Sequence, residues 1–318
     1  MESQLEDWRS RGETFDYLGF EVFFRREGSG PVLLLVHGYP FSSFDWKETW
    51  AELTARFTVI APDMLGMGFS AKPTEYEYSV HDHADMHEAL LKHLDVSECH
   101  VLAHDIGDSV VQEMLSRRGE RDEASRPYEI RSITWLNGGM FIEAYRPRVM
   151  QTLTAKTPVG GLFAMLPGIF LSDRVVRPAI NEVFGPDTKP SDALWRQLSE
   201  ILDYNDGRRV MHKVGRFIID RAHHRNRWVG GMRATDVPMR LIDGPCDPNS
   251  GRHMAERYAE LIPDADVVFL ADDIGHWPQL EDPQGVLRHF LEFVEPLATG
   301  SAARPGPGSA PPARAAPA

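Results

Sequence analysis

Hydrophobic residues along the chain alternate between short continuous runs and longer helical patterns. The short runs are rich in Val, Leu and Ile, which is typical of strands buried on both faces of a sheet. They lie at residues 32–36, 57–61, 100–103, 130–136, 239–242 and 267–270. Apolar positions spaced three and four apart predict helices over 46–56, 80–94, 109–118, 251–261 and 284–294. Residues 14–26 alternate and end at Gly28-Ser29-Gly30, which predicts an antiparallel hairpin.

This order of elements predicts an α/β fold with a doubly wound, mostly parallel sheet. The alternation stops between Gly138 and Gly231, where helices and Pro-containing loops occur without a convincing strand. A stretch of that length predicts an inserted helical cap domain over 140–230, between core segments 1–139 and 231–297. The cap would cover the carboxyl ends of the strands, where open α/β sheets bind ligands. The Ala, Pro, Gly and Ser of 298–318 predict a disordered tail.

Composition limits the partners that this chain would bind. The net charge is −13 and no basic run offsets it, which disfavours nucleic acid and anionic membranes and favours a small, uncharged substrate. Two cysteines without metal-like spacing and an N-terminus without a signal peptide indicate a cytoplasmic protein. The longest apolar stretch, 159–171, is too short to span a bilayer and is expected to line a substrate tunnel. We expect no cofactor and no metal, because His81, His83 and His87 would scatter around a helix.

The segment Ala103-His104-Asp105-Ile106-Gly107 has the layout of a nucleophile turn, with an aspartate where serine usually stands. An apolar run precedes it and a helical pattern follows it. A carboxylate that attacks an ester or amide carbonyl gives a labile anhydride, whereas attack on a saturated carbon gives a stable alkyl ester. The aspartate therefore points to the opening of an epoxide or the displacement of a halide. An aspartate at a strand end is also commonly a helix cap or turn former.

Other polar residues follow strands of the same predicted sheet. His37-Gly38-Tyr39-Pro40 comes after the first buried strand, and the backbone N–H groups of Tyr39 and Ile106 would form an oxyanion hole. Asp247 follows a late strand and His276 follows the last one. The order nucleophile, acid and histidine along the chain is that of an α/β-hydrolase catalytic triad.

With these motifs, the chain resembles the α/β-hydrolase superfamily, in the branch of epoxide hydrolases and haloalkane dehalogenases that use aspartate. The shared signals also include Asp63-Met64-Leu65-Gly66-Met67-Gly68-Phe69-Ser70 and Gly275-His276. Within that branch it looks most similar to the family of the mesoderm-specific transcript protein and its bacterial relatives. That similarity rests on Leu136-Asn137-Gly138-Gly139, Phe184-Gly185-Pro186, Asn205-Asp206-Gly207, Arg227-Trp228-Val229-Gly230 and Trp277-Pro278-Gln279-Leu280-Glu281-Asp282-Pro283. The resemblance runs from about Thr14 to Glu295.

The resemblance implies a two-step mechanism. Asp105 attacks a saturated carbon and forms a covalent ester. His276, supported by Asp247, then activates a water that hydrolyses the ester, while the oxyanion hole holds the negative charge. Some relatives place the triad acid at the position of Asn137, but that residue is an amide here.

The leaving group decides between the two classes of enzyme. Relatives protonate an epoxide oxygen with cap tyrosines, for which this chain offers Tyr145 and Tyr204. Relatives that bind halide use a tryptophan and an asparagine where this chain has Ile106 and Tyr39, so a dehalogenase would need Trp195 or Trp228 instead.

An epoxide hydrolase acting on a small apolar epoxide is therefore expected. A haloalkane dehalogenase and a non-catalytic scaffold that binds a lipophilic ligand or a partner protein stay open as alternatives. The cap residues Leu162, Phe163, Met165, Leu166, Ile169 and Phe170 predict an apolar pocket. The residues expected to contact the substrate are His37, Phe163, Leu166, Phe170 and Trp277.

Overall fold

The computed structural model describes residues 4–148 and 172–300. Within them, strands β1 to β8 form one sheet, in the order β1-β2-β4-β3-β5-β6-β7-β8. In chain order they are Glu13–Tyr17, Phe20–Glu27, Val32–Val36, Thr58–Pro62, Glu98–His104, Glu129–Leu136, Met239–Asp243 and Asp266–Phe269. Strand β2 is antiparallel to both of its neighbours, β1 and β4. All other neighbouring strands are parallel, so the predicted sheet and its leading hairpin are confirmed.

Helices α1 to α11 of the described residues connect and cover the strands. In chain order they are Gln4–Ser10, Trp50–Thr54, Val80–His93, Ile106–Glu120, Asp173–Asn181, Asp192–Asp203, Met211–Val214, Phe217–Ala234, Arg252–Leu261, Pro278–Glu281 and Pro283–Ala298. The single helix predicted over 46–56 is wrong. A 3-10 turn, Ser43–Trp46, precedes the short α2, because the Ser42 and Thr49 hydroxyls bond to nearby backbone groups and turn the chain.

The core lies on both faces of the sheet. Successive residues of β3 enter opposite clusters: Leu34 and Val36 pack on one side, and Leu33 and Leu35 on the other. All four are fully buried. A strand that is covered on both faces has apolar residues at every position. For this reason β3 is easy to recognise in the sequence.

The insertion between β6 and β7 contains helices α5 to α8 and no strand among its described residues. Its last helix, α8, lies along α4, where the Trp228 indole donates to Glu113 Oε2 over 2.7 Å. The boundaries of a separate cap at 140 and 230 stay a prediction. The expected pocket residues Leu162, Phe163, Met165, Leu166, Ile169 and Phe170 lie outside the described residues, as does the tail beyond 300. None of the described helices has the length and apolar character needed to cross a membrane.

Candidate active site

A cavity of about 130 Å³ opens where the carboxyl ends of the central strands meet the insertion. The loops after β3, β5 and β8 contribute Tyr39, Asp105, His276 and Trp277 to its wall. The insertion contributes mainly apolar side chains, which include Val176, Ile180, Phe217 and Ile218. The described wall is therefore mostly apolar with a few polar groups, Asp105 and His276 among them, which is the usual character of a small-molecule site.

Asp105 lies at the sharp turn between β5 and α4. Its φ of 50° and ψ of −109° place a non-glycine residue in a strained region of backbone space. Small neighbours make the turn possible: a Cβ on Gly107 would lie 2.4 Å from the Val36 carbonyl oxygen, and one on Gly38 would lie 2.4 Å from His104 Nδ1. The turn presents the Asp105 side chain at the cavity wall, as the sequence motif predicts.

Both oxygens of the Asp105 carboxylate have hydrogen-bond donors. The backbone N–H of Tyr39 donates to Oδ2 over 3.1 Å. Arg221 Nη2 donates to Oδ1 over 3.1 Å and to the Asp105 backbone oxygen over 2.8 Å. Burial by itself would raise the pKa of Asp105, but the Arg221 and His276 charges outweigh it and lower that pKa. Asp105 is therefore an ionised carboxylate in a buried site.

Arg221 is a buried cation that the sequence analysis missed. It is 2% exposed, its Nε donates to Ser109 Oγ over 2.8 Å, and its guanidinium lies over the rings of Phe217 and Tyr145. Arg221 follows Phe217 by four residues on α8, so it occupies the same buried stripe of the helix. An arginine in an apolar helical stripe is the signal that could have identified it.

His276 and Asp247 form a buried pair. His276 Nδ1 lies 2.8 Å from Asp247 Oδ2, which also accepts from Ser250 Oγ over 2.7 Å. Burial alone would lower the pKa of His276, but the Asp247 and Asp105 carboxylates outweigh burial and raise it. Burial likewise opposes ionisation of Asp247, yet the His276 pairing keeps the pKa of Asp247 below its usual range. Asn137 donates to Asp247 Oδ2 over 3.3 Å, so it supports the acid.

The loop that carries His276 is fixed by the insertion and by α10. The His276 N–H donates to the Val183 carbonyl over 2.9 Å. The Glu281 carboxylate accepts from the backbone N–H groups of Gly275 and Trp277, over 2.8 and 2.9 Å, and from that of Gly185, over 2.8 Å. A Cβ on Gly275 would lie 2.5 Å from Gly185 N, so the two segments are in direct backbone contact.

Three of the predicted site residues lie elsewhere, which corrects the sequence analysis. His37 is fully buried beneath the cavity, with Nδ1 donating to the Gly38 carbonyl and Nε2 accepting from the Met64 N–H. The Tyr204 hydroxyl accepts from Arg9 on α1, and its ring packs on Phe69. Tyr145 packs beneath the Arg221 guanidinium. None of these three is among the described residues of the cavity wall.

Trp277 does line the cavity, stacked on Phe184 at 5.0 Å between ring centroids. Ile106 is the first residue of α4, and the first N–H groups of a helix have no partner within the helix. Phe163, Leu166 and Phe170 lie outside the described residues. In the described ranges, no group of three His, Cys, Asp or Glu side chains is placed to hold a metal ion.

Residues 31–159 match the alpha/beta hydrolase fold family. Over 299 residues the chain is 38% identical to the mesoderm-specific transcript homolog protein of Homo sapiens, which covers 91% of this chain and 88% of that protein. The chain belongs to the α/β-hydrolase family of the mesoderm-specific transcript proteins. This α/β-hydrolase is also 33% identical to the putative hydrolase LipZ of Mycobacterium tuberculosis, over 91% of this chain and 98% of the relative.

Two solved structures illustrate the fold of this α/β-hydrolase. The epoxide hydrolase CorEH has a TM-score of 0.71 at 20% identity, covering 90% of this chain and 99% of its own. A loop variant of the haloalkane dehalogenase DbeA from Bradyrhizobium elkanii has a TM-score of 0.75 at 19% identity, covering 92% and 99%. At such low identity the likeness shows the fold alone. The fold and a hydrolase among the relatives support a hydrolytic enzyme.

Proposed function

We propose that this α/β-hydrolase opens small apolar epoxides through a covalent ester on Asp105. The observation that carries the proposal is an ionised carboxylate at the nucleophile turn, facing a small apolar cavity that also contains His276. An uncharged side chain at this turn would suit acyl transfer, whereas a carboxylate suits attack on a saturated carbon. The ester on Asp105 is then the intermediate that water must cleave.

The second half of the reaction depends on the pair formed by His276 and Asp247. Ester formation removes the Asp105 charge, which is one of the charges that raise the pKa of His276, and so favours the neutral imidazole. Neutral His276 then takes a proton from the attacking water, and Asp247 stabilises the imidazolium that results. The N–H groups of Tyr39 and Ile106 hold the negative charge that develops on the former Asp105 carboxylate. Arg221 lies on the other oxygen of that carboxylate and adds a full positive charge to the same region.

The contacts of the insertion favour an epoxide over a halide. A halide needs N–H donors that are free to turn toward the cavity. The Trp195 indole instead donates to Asp173 over 3.1 Å, and the Trp228 indole donates to Glu113. Moving either indole would break its hydrogen bond to a carboxylate, which costs free energy. The dehalogenase alternative is therefore less favoured, and the mass of the trapped adduct distinguishes it from an epoxide hydrolase.

The test is the intact mass of His276→Gln after incubation with a panel of epoxides and haloalkanes. Without the base that activates water, the ester on Asp105 should accumulate and add the mass of a whole epoxide. The matched control, His276→Gln with Asp105→Asn, should add nothing. An adduct equal to the haloalkane minus hydrogen halide would establish a dehalogenase instead. A folded protein that acquires no adduct would support the non-catalytic scaffold.

A further inference from the structure

Opening an epoxide leaves a negative oxygen that needs a proton, and the predicted donors are not at the cavity. The Tyr204 hydroxyl is bound by Arg9, and Tyr145 packs beneath Arg221. Among the described residues of the cavity wall, Tyr39 alone carries a hydroxyl. Arg148 and Asn249 also reach the wall, but a guanidinium or an amide does not give up a proton at neutral pH.

Tyr39 is fixed at both of its ends. Its backbone N–H donates to Asp105 Oδ2, which places the residue beside the nucleophile. Its hydroxyl donates to the Met211 carbonyl over 3.2 Å, at the insertion side of the cavity, and its ring packs 5.7 Å from that of Phe217. The ring therefore spans the cavity wall from the carboxylate to the insertion. Protonation by Tyr39 requires an epoxide whose carbon lies at Asp105 to turn its ring oxygen toward this hydroxyl.

The hydroxyl is available as a donor. Burial and the nearby Asp105 charge raise the pKa of Tyr39, so the phenol keeps its proton at neutral pH. Its hydrogen rotates about the C–O bond and can turn from the Met211 carbonyl to a charged oxygen, which is a stronger acceptor. An aliphatic alkoxide is more basic than a phenolate, so the transfer is downhill.

We propose that the Tyr39 hydroxyl is the acid that protonates the departing epoxide oxygen. The residue would thus act twice, with its N–H on the carboxylate and its hydroxyl on the leaving group. This inference rests on the proposed epoxide hydrolase function and names the proton donor that the function requires.

Tyr39 lends its proton during the reaction and recovers it at the end. A carboxylate oxygen of Asp105 forms a bond to an epoxide carbon, the C–O bond of the ring breaks, and its electron pair stays on the ring oxygen. That oxygen takes the Tyr39 proton, which leaves a phenolate. Water then cleaves the ester through His276, which passes the water proton to the released alkoxide. The proton left on the Asp105 carboxyl returns to the phenolate, so the net reaction is epoxide plus water to diol.

The experiment measures the rate of ester formation on Asp105 by time-resolved intact mass, in the His276→Gln background. Adding Tyr39→Phe keeps the backbone N–H and removes only the hydroxyl. We expect ester formation to slow by about 10²-fold or more, the usual contribution of a general acid. Tyr204→Phe is the matched control and should leave the rate unchanged.

A second measurement separates catalysis from misfolding. With His276 intact, Tyr39→Phe should slow ester formation but leave the rate of ester hydrolysis unchanged, which a general loss of structure would not do. An equal rate of ester formation in Tyr39→Phe overturns this inference alone. Slowing by Tyr145→Phe in place of Tyr39→Phe also overturns it. Absence of ester with Tyr39 intact overturns the proposed function itself.

Discussion

At the scale of single residues, the pair of Arg221 and Asp105 decides whether the proposed nucleophile is ionised. A carboxylate taken out of water tends to protonate unless a cation compensates its charge. Arg221 supplies that charge from α8, and it also bonds the backbone oxygen of the strained residue. The insertion therefore contributes directly to the candidate site, because one of its side chains keeps the Asp105 carboxylate ionised.

Replacing Arg221 should remove both the positive charge beside Asp105 and the hydrogen bond to the Asp105 backbone oxygen. We expect Arg221→Gln to lower the free energy of unfolding by about 3–5 kcal/mol, the usual cost of breaking a buried ion pair. The pKa of Asp105 should rise, so that ester formation is lost at neutral pH and partly recovered at higher pH. Denaturant unfolding and the pH dependence of ester formation would measure these effects. The matched control is Arg225→Gln on the same helix, which removes a more exposed pair with Glu143. Equal behaviour of the two variants would contradict the role of Arg221.

The sequence predicted the residues that follow strands and failed for those that depend on tertiary packing. Asp105, Asp247 and His276 each come after a strand whose apolar run is plain, so their meeting at one edge of the sheet follows from topology. Tyr145 and Tyr204 belong to the insertion, where helical periodicity does not predict which side chains pack against each other. Arg221 was missed for the same reason.

At the scale of elements, the short helix α10 connects the His276 loop to the insertion through Glu281. One carboxylate accepts from the backbone of residues 185, 275 and 277, and the Thr188 hydroxyl also donates to it. Every one of these donors is an N–H or O–H group. An acceptor with two oxygens is therefore required, and an amide in its place would turn an NH₂ group toward a donor.

Glu281→Gln should consequently disturb the His276 loop. We expect hydrolysis of the ester to slow by about 10-fold or more while ester formation on Asp105 keeps its rate, since hydrogen bonds to charged groups contribute about 1.5–3 kcal/mol each. Rapid-quench measurement of the two steps would separate them. Glu292→Gln on α11, whose side chain is 57% exposed, is the control. Equal slowing of both steps would show that Glu281 has only a general structural role.

The strands after the leading hairpin were predictable because each contains a short apolar run, and their observed bounds lie within two residues of the predicted ones. Helix α4 begins at Ile106 and not at Ser109, since the nucleophile turn leads directly into the helix. The break near residue 47 was not predictable from apolar spacing, because hydroxyl groups of Ser42 and Thr49 produce it.

At the scale of the whole molecule, neutral histidines are built into the core. Burial lowers the pKa of His37 and of His87 to about 4, and that of His83 to about 3. An unfolded histidine titrates near 6.5. Between these values the unfolded chain binds more protons than the folded one. Each such histidine therefore makes the fold less stable as the pH falls from about 6.5 toward 4.

His87 allows this effect to be isolated. Its Nδ1 lies 2.6 Å from the His83 carbonyl, and His87→Asn keeps a donor at that position. As the pH falls from 7 to 4, the wild type should lose stability relative to this variant, by at most roughly 1.4 kcal/mol per pH unit. Urea unfolding at several pH values would measure it. The exposed His93 at the end of the same helix provides the control His93→Asn, and a pH-independent difference for His87→Asn would contradict the argument.

The order of the strands has a consequence for biosynthesis. Strands β1 to β6 are synthesised first, and in the folded sheet they are neighbours of one another without β7 or β8 between them. Strands β7 and β8 then join one edge of the sheet in succession, and His276 follows β8. Arg221 and His276 are both synthesised after β5, the strand that leads into the Asp105 turn. A nascent chain can therefore possess most of its sheet while it still lacks Arg221 and His276, so under the proposed mechanism it would become active only after synthesis of the last strand.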